Sequence, residues 1–331
     1  MGSKRKLSGE IVDHILTAHP NTKYVWDLFG GGGAISFEFL QRRQIERVVY
    51  NELNTGVVEL LRKIQKDGIT PEFYQWVDRD TFNKHKNDDD WFGGLCKVIW
   101  SFGNNQHNYL FGKHIEQYKK EFHELVVDGI DHTNSMSLYC MEYVKERYGI
   151  ECDLTLNIPS EIHIKQRRLN IRKQLTDFES RCKNTKPLRQ LQHLRQLQQL
   201  KQLEQLQGLE QLQGLQQLER LEHLEQLQQL QRLDIRNQSA FDVVIDTPID
   251  ETVIYLDPPY KGTGKYQEDV CHDELKRYID NSPYTIYLSS YEFDLPVVKQ
   301  MKHRSTLSRM ASNATVEKLF CNKTEHKNTL F

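Results

Sequence analysis

The sequence lacks the features that mark disulfide frameworks, zinc sites and membrane spans. Its six cysteines, at positions 96, 140, 152, 182, 271 and 321, include no C-x-x-C pair. This scatter argues against a disulfide framework or a zinc site and predicts reduced thiols in a cytosolic setting. The sequence shows neither a signal peptide nor an apolar run of about 18 residues. We therefore expect a protein that has no membrane partner.

Net charge is also nearly absent. The 331 residues have a formal net charge of −2, which gives no overall electrostatic attraction to nucleic acid. Basic residues cluster locally at positions 4–6 and 165–173, but runs of this kind are commonly solvated surfaces. The length allows one large α/β domain or two smaller ones. The mean hydropathy of −0.68 is low for a globular protein, and one biased segment explains much of it.

The most informative stretch is Asp257-Pro258-Pro259-Tyr260. It follows Val253-Ile254-Tyr255-Leu256, an apolar run that predicts a buried strand. Two prolines end the strand and stiffen the backbone, so the motif is expected at the carboxyl end of a strand. Open α/β sheets bind their ligands at that edge. Taken alone, the motif also fits a stiff turn with a capping aspartate.

A second ligand signal is the glycine turn at residues 30–33. It lies between a predicted strand at 24–26 and a predicted helix from Ile35 to about Gln44, and glycines there let a ligand approach the backbone closely. Glu52 follows the next predicted strand, at the spacing where an acidic residue binds ribose hydroxyls. Because the turn lacks G-x-G-x-x-G, a nucleoside without a pyrophosphate, such as S-adenosylmethionine, fits better than a dinucleotide. An ordinary tight turn is the alternative.

Strand and helix patterns alternate near both ends of the chain, which predicts an α/β fold with a doubly wound sheet. The expected strands are residues 24–26, 47–50, 241–245, 253–256, 284–288 and 316–320. Between them, residues 100–113 interleave aromatic, amide and basic side chains. Amides can bind adenine edges and lysine can bind phosphates, so this stretch is a candidate DNA contact. It equally fits a loop-rich helical subdomain with its own aromatic core.

Residues 188–233 form a low-complexity array in which leucine recurs at every third position. This period drifts around an α-helix by about 60° per leucine, and long 3-10 helices, which would align the leucines, are uncommon. Its residue types favour a helix, although a narrow solenoid is an alternative. Nothing in the array can perform chemistry. We interpret it as an inserted arm or a surface for self-association or a protein partner.

With the glycine turn, the acid and D-P-P-Y in that order, the sequence resembles the adenine-specific DNA methyltransferases of the Dam type, the D12 class. The resemblance covers most of residues 1–185 and 237–331. The family's F-x-G-x-G corresponds to residues 29–33, and its D-I-N to Glu52-Leu53-Asn54, with Glu in place of Asp. Lys4 stands at the lysine of an N-terminal G-K element. Asp242 is the nearest candidate for an acid that contacts the cofactor adenine.

The resemblance implies a Rossmann-like methyltransferase sheet formed by residues 1–54 and 237–331, a target-recognition region at 55–187 and the array as an insertion. It implies S-adenosylmethionine as methyl donor, no metal, and double-stranded DNA as substrate. The implied catalytic residues are Asp257, Pro258 and Tyr260. The implied cofactor residues are Lys4, Asp27, Phe29, Gly31, Gly33, Glu52, Asp242 and Asp257. The implied DNA contacts are Asn104, Asn105, Lys113 and Lys261.

Other functions remain open at this point. D-P-P-Y also occurs in enzymes that methylate cytosine N4 or guanine in RNA. A DNA-binding or assembly protein on an inactive methyltransferase fold is a further alternative, with the array as its working part. The family implies the cytoplasm of a bacterial or phage-infected cell. The sequence does not distinguish a role in restriction-modification from one in gene regulation.

Overall fold

The structure, a computed structural model, describes residues 4–102, 105–159, 163–183, 232–259, 271–303 and 315–323. These residues fall into two compact units. The first draws on Met1–Phe73, Val77–Leu110 and Leu221–Phe331, and the second on Tyr74–Trp76 and Phe111–Arg220. The helices of the first unit are α1 (Ser8–Ala18), α2 (Ala34–Leu40), α3 (Thr55–Asp67), α4 (Arg79–His85), α5 (Trp91–Ile99) and α9 (His272–Asn281).

A seven-stranded, mostly parallel sheet organises the first unit. Its strands are β1 (Tyr24–Asp27), β2 (Arg47–Asn51), β3 (Leu233–Arg236), β4 (Thr252–Leu256), β5 (Thr285–Ser290), β6 (Val297–His303) and β7 (Thr315–Cys321). Their order is β3-β2-β1-β4-β5-β7-β6, and only the β5–β7 and β7–β6 pairs are antiparallel. The mixed α/β fold predicted from the sequence is confirmed. The strand order reverses between β1 and β4, which is where open sheets of this kind bind ligands.

The central strands β1 and β4 run parallel and in register. Tyr24 lies beside Thr252, and Asp27 lies beside Tyr255. Every residue of β4 is buried, as expected for a parallel strand covered on both faces. Asp257, the residue after β4, therefore lies at the same edge as the end of β1.

Helices cover both faces of the sheet. On one face, Leu275 and Ile279 of α9 join the cluster that contains Ile254 and Ile286. Side chains alternate along a strand, so Tyr287 faces the other way. There it makes edge-on ring contacts with His14, within α1, and with His19, which follows α1.

One predicted strand is wrong and two strands were missed. Residues 241–245 form no strand, because Ala240–Asp242 is a 3-10 helix and Val244 is 74% exposed. The edge of β2 that this segment would need is occupied by β3. Leu233, the last leucine of the array, begins β3 and is buried, so the array's end belongs to the sheet and not to a helix. The edge strand β6 was also not predicted.

The described part of the second unit contains three long helices, α6 (Lys113–Val127), α7 (Thr133–Tyr148) and α8 (Ile164–Lys183). It has its own core, in which Trp76 stacks on Phe111 with ring centroids 5.8 Å apart. Residues 188–231 of the array lie outside the described residues. The division into catalytic, target-recognition and array segments stays a prediction.

Candidate active site

Asp27 ends β1 with a buried carboxyl group. The Ser36 hydroxyl donates a hydrogen bond to Oδ2 at 2.7 Å, and buried Oδ1 has no hydrogen-bond partner among the described residues. Burial raises the pKa of Asp27 to about 7; the Ser36 bond opposes this, and the charges of Asp257 and Glu52 add to it. An acid with this pKa is ready to ionise when a cation arrives.

The turn after β1 needs its glycines. Gly31 and Gly33 have φ angles of +51° and +74°, which L-residues rarely adopt. A Cβ at Gly30 would lie 2.2 Å from the ring of Tyr50. The Tyr50 hydroxyl also donates to the Gly31 carbonyl at 2.6 Å. The turn is therefore pressed against β2. Among the described residues, apart from the two chain neighbours of Gly32, no atom lies within 4 Å of a Cβ built at Gly32.

Glu52 faces this turn from the end of β2. Its carboxylate accepts the Gly31 N–H at 2.8 Å and the Asn54 N–H at 2.9 Å, one on each oxygen. Burial raises the pKa of Glu52, while these backbone hydrogen bonds oppose the rise. A carboxylate oxygen can accept more than one hydrogen bond. Glu52 is thus held in a fixed orientation and can still accept a hydroxyl.

Asp257 follows β4 and meets Lys4. The Lys4 ammonium lies 3.0 Å from Oδ1 of Asp257 and 3.0 Å from Oε1 of Glu317. Burial raises the pKa of Asp257, the Lys4 charge opposes this, and the charge of Glu317 adds to it. Pro258 is buried directly beside it. The structure therefore brings Asp257 and Glu52 close enough to Asp27 for the charges of both to raise the pKa of Asp27.

An aromatic pair lies at the same edge. Phe29 contacts Phe241 edge-on, with ring centroids 6.3 Å apart. Phe241 was not predicted as a site residue, because the sequence placed it in a strand. Its neighbour Asp242, a predicted cofactor ligand, is exposed at the end of the 3-10 helix.

Polar side chains connect the ends of β1, β2 and β3. The Asn51 side-chain amide donates to the carbonyls of Leu28 at 3.1 Å and Gln238 at 3.0 Å. Asn237 donates to the Glu52 carbonyl at 2.8 Å. These links were missed by sequence reasoning, although an asparagine at a strand end is a usable signal. They fix the loop that carries Phe241 against the glycine turn.

The predicted DNA contacts are only partly described. The Asn105 side-chain oxygen accepts the N–H groups of His107 and Asn108, both at 2.9 Å, and so shapes its own turn. Lys113 is exposed at the first residue of α6, in the second unit. Asn104, Tyr260 and Lys261 lie outside the described residues.

Comparison with known families indicates the kind of enzyme. Residues 1–143 match the model of the D12 class N6 adenine-specific DNA methyltransferase family. Over this stretch the chain is similar to that family. The predicted family is confirmed, and the D12 class supports an enzyme that methylates adenine in DNA. No curated protein matches the chain closely enough to count as a relative.

The D12 match ends well before Asp257. The β1–β4 pairing joins the matched segment, with its glycine turn, to the strand that precedes D-P-P-Y. Part of the motif set on which the resemblance rested therefore lies outside the match, and the sheet brings it to the matched part.

The D12 class implies S-adenosylmethionine as methyl donor. The site suits this cation, because Asp27 presents a buried carboxyl oxygen without a hydrogen-bond partner in the described structure. The open side of the turn at Gly32 leaves room for a ligand. In the described ranges, no group of three or more His, Cys, Asp or Glu side chains could hold a metal ion. None of the described helices is long and apolar enough to span a membrane.

Proposed function

We propose that this D12 enzyme methylates N6 of an adenine that has been flipped out of duplex DNA at a specific site. The observation that carries the proposal is the position of Asp257 at the end of β4, beside β1 and its glycine turn. A base inside a duplex cannot reach such an edge, so the adenine must leave the stack first.

The cofactor contacts follow from the side chains at this edge. Asp27 would face the positive charge of the donor with Oδ1, which has no hydrogen-bond partner among the described residues. Glu52, which also accepts the Gly31 N–H, would accept hydrogen bonds from the ribose hydroxyls, and the Phe29–Phe241 pair would lie near the adenine ring. Gly31 and Gly33 allow close approach of the backbone. Bound there, S-adenosylmethionine supplies a methyl group on a sulfonium.

Further contacts are proposed from the resemblance. Asp242 would lie near the cofactor adenine. Asn104, Asn105, Lys113 and Lys261 would contact DNA. The resemblance gives Lys4 a role in binding the cofactor. In the structure, its ammonium forms ion pairs with Asp257 and Glu317.

The chemistry requires that a weak nucleophile be made stronger. The lone pair of the adenine amino group is delocalised into the ring. The Asp257 carboxylate and the Pro258 carbonyl accept hydrogen bonds from its two N–H groups. These bonds shift the nitrogen toward sp³ geometry and free the lone pair. Holding the base beside the donor supplies much of the remaining rate enhancement. Tyr260 stacks on the flipped base, which offsets the unstacking cost by about 1–3 kcal/mol.

The first test is the product. Purified protein is incubated with duplex DNA and methyl-labelled S-adenosylmethionine, and digested nucleosides are analysed by mass spectrometry. We expect N6-methyladenine from the wild type and a loss of at least about 10³-fold in Asp257→Ala. The control, Asp250→Ala, removes an exposed aspartate before β4 and should keep full activity.

The outcome separates the competing functions. If the product is N4-methylcytosine, the target is cytosine and not adenine. If the protein methylates guanine in an RNA substrate, guanine is the target. Absence of any methylated nucleoside, with DNA binding retained, would favour an inactive binding or assembly protein. Unchanged activity in Asp257→Ala would show that the site is wrongly assigned. Methylation-sensitive sequencing of DNA from an expressing cell then gives the recognition sequence.

A further inference from the structure

Three charged side chains from distant parts of the chain meet at the carboxyl end of β4. Lys4 belongs to the 3-10 helix Lys4–Lys6, Asp257 follows β4, and Glu317 lies on β7. The Lys4 ammonium is 3.0 Å from a carboxylate oxygen of each acid. The side chains of Lys4 and Glu317 are each 7% exposed, and that of Asp257 is 21% exposed.

We propose that Glu317 is a positioning residue that holds the Lys4 ammonium against Oδ1 of Asp257, so that Oδ2 is presented to the amino group of the target base. The inference rests on the proposed function, because it assigns Glu317 its effect through catalytic Asp257. It adds a residue of β7 that lies beyond the matched segment and outside the D-P-P-Y motif.

The charge count indicates that Glu317 is more than a partner for a buried lysine. Lys4 and Asp257 already form a complete ion pair, and desolvating a second carboxylate costs free energy. An ammonium with one acid partner can still swing about its long side chain. Since it donates in tetrahedral directions, a second fixed acceptor sets the direction of the bond to Asp257.

The contact with Lys4 makes the two oxygens of Asp257 unequal. Oδ1 is bound by the ammonium, while Oδ2 accepts no hydrogen bond from the described residues. An ionised Oδ2 is the acceptor that an amino N–H requires. The Lys4 charge lowers the pKa of Asp257 against the larger effect of burial, whereas the negative charge of Glu317 raises it.

The other titratable groups at this edge are few in the described residues. Tyr255 of β4 and Asp27 of β1 both sense the charge of Asp257. Tyr291, just after β5, senses all three members of the triad, although burial is the larger cause of its raised pKa. Neither phenol ionises in the range in which a carboxylate controls the rate. Asp27 does titrate near neutrality, so every profile is compared with that of the wild type.

The test is the pH dependence of kcat at saturating DNA and cofactor, followed as labelled methyl transfer. In Glu317→Gln the amide keeps an acceptor for Lys4 but removes a charge. We expect the acid limb of its kcat–pH profile to move to lower pH by about one unit. Lys4→Met should move the limb upward by more than about one unit. Glu317→Asp keeps the charge on a shorter arm, and should keep the wild-type limb while kcat falls about tenfold.

Glu251→Gln is the matched control. Glu251 forms a 2.7 Å ion pair with Lys23 before β4, at the opposite edge of the sheet, and its loss should leave the profile unchanged. If Glu317→Asp keeps the wild-type kcat, Glu317 does not hold Lys4 in place and the inference fails. If Glu317→Gln and wild type share one acid limb while Lys4→Met shifts it, the charge of Glu317 does not act on Asp257 and the inference also fails. If the limb of Glu317→Asp moves with that of Glu317→Gln, the effect is a packing effect and the inference also fails.

A further variant distinguishes failure of the Glu317 inference from failure of the proposed function. Asp257→Asn should be inactive at every pH. If it methylates normally, the assignment of Asp257 fails and Glu317 falls with it. If Asp257→Asn is inactive and Glu317→Gln matches the wild type, only the inference about Glu317 fails. Thermal melts of each variant confirm that the compared proteins are folded.

Discussion

Asp27→Asn should stabilise the protein relative to the wild type, and this gain in the free energy of unfolding should be larger at alkaline pH than at acidic pH. Asp27 is buried and its pKa is raised to about 7 from 3.8. Below pH 3.8 the carboxyl is neutral in both the folded and unfolded states. Between these pKa values only the unfolded state gives up the proton, so rising pH favours unfolding. Above the folded pKa both states are charged, and the penalty stays constant.

The size of the effect follows from the shift. Each pKa unit corresponds to about 1.4 kcal/mol, so the charge of Asp27 costs about 2 kcal/mol at pH 5 and about 4 kcal/mol at pH 8. Asparagine keeps the shape and cannot ionise. The free energy of unfolding of the variant, minus that of the wild type, should therefore rise by about 2–3 kcal/mol between these pH values. This change already includes the repulsion from Asp257 and Glu52, which is one of the causes of the raised pKa of Asp27.

The measurement is urea unfolding without cofactor at pH 5, 6, 7 and 8. Comparing differences between proteins cancels the titration of the remaining groups. Asp250→Asn, an exposed aspartate, is the control and should differ from wild type by less than about 0.5 kcal/mol at every pH. A difference for Asp27→Asn that does not change with pH would refute the reasoning, because it would show that Asp27 is ionised in the folded protein well below pH 7.

Three further predictions concern the turn, the aromatic pair and the array. Gly33→Ala should lower the free energy of unfolding by at least about 1–2 kcal/mol, because φ is +74° and the new methyl would lie 2.4 Å from the Phe37 ring; urea unfolding measures this, and a neutral result would contradict the turn's strain. Phe241→Ala should raise the Kd for S-adenosylmethionine about tenfold or more in calorimetry, with Phe293→Ala as aromatic control. Deleting residues 188–231 should leave methyl transfer per folded molecule largely intact; complete loss with an intact fold would contradict the inserted-arm interpretation.

The centre of the sheet could be predicted because its signals are local. A short run of β-branched and aromatic residues before Asp257 is enough to predict β4, and the prolines fix where it ends. The edge strands give weaker signals. β3 begins at Leu233, where the leucine repeat hides a four-residue strand. β6 is the edge strand beside β7 in the described sheet, and its polar residues Lys299, Gln300 and Lys302 weaken the strand pattern.

The candidate site divides in the same way. The glycine turn, Glu52 and Asp257 are recognisable because each follows a strand at a known spacing. Glu317 was missed because its relation to Lys4 depends on where β7 inserts beside β5, which no local pattern encodes. Phe241 was missed because the prediction of a strand at 241–245 ignored the competition for the edge of β2.

The parallel pairing of β1 with β4 has a consequence for how the chain folds. Tyr24 and Val25 precede the array in the chain, whereas their strand neighbours Thr252 and Val253 are synthesised only after the whole array. Until then one side of β1 is an open strand edge with apolar side chains, and such edges recruit other chains. The late closure also gives the sheet a high contact order, which slows folding. The yield of folded enzyme should therefore depend on how long the edge of β1 stays unpaired while the leucine array is synthesised.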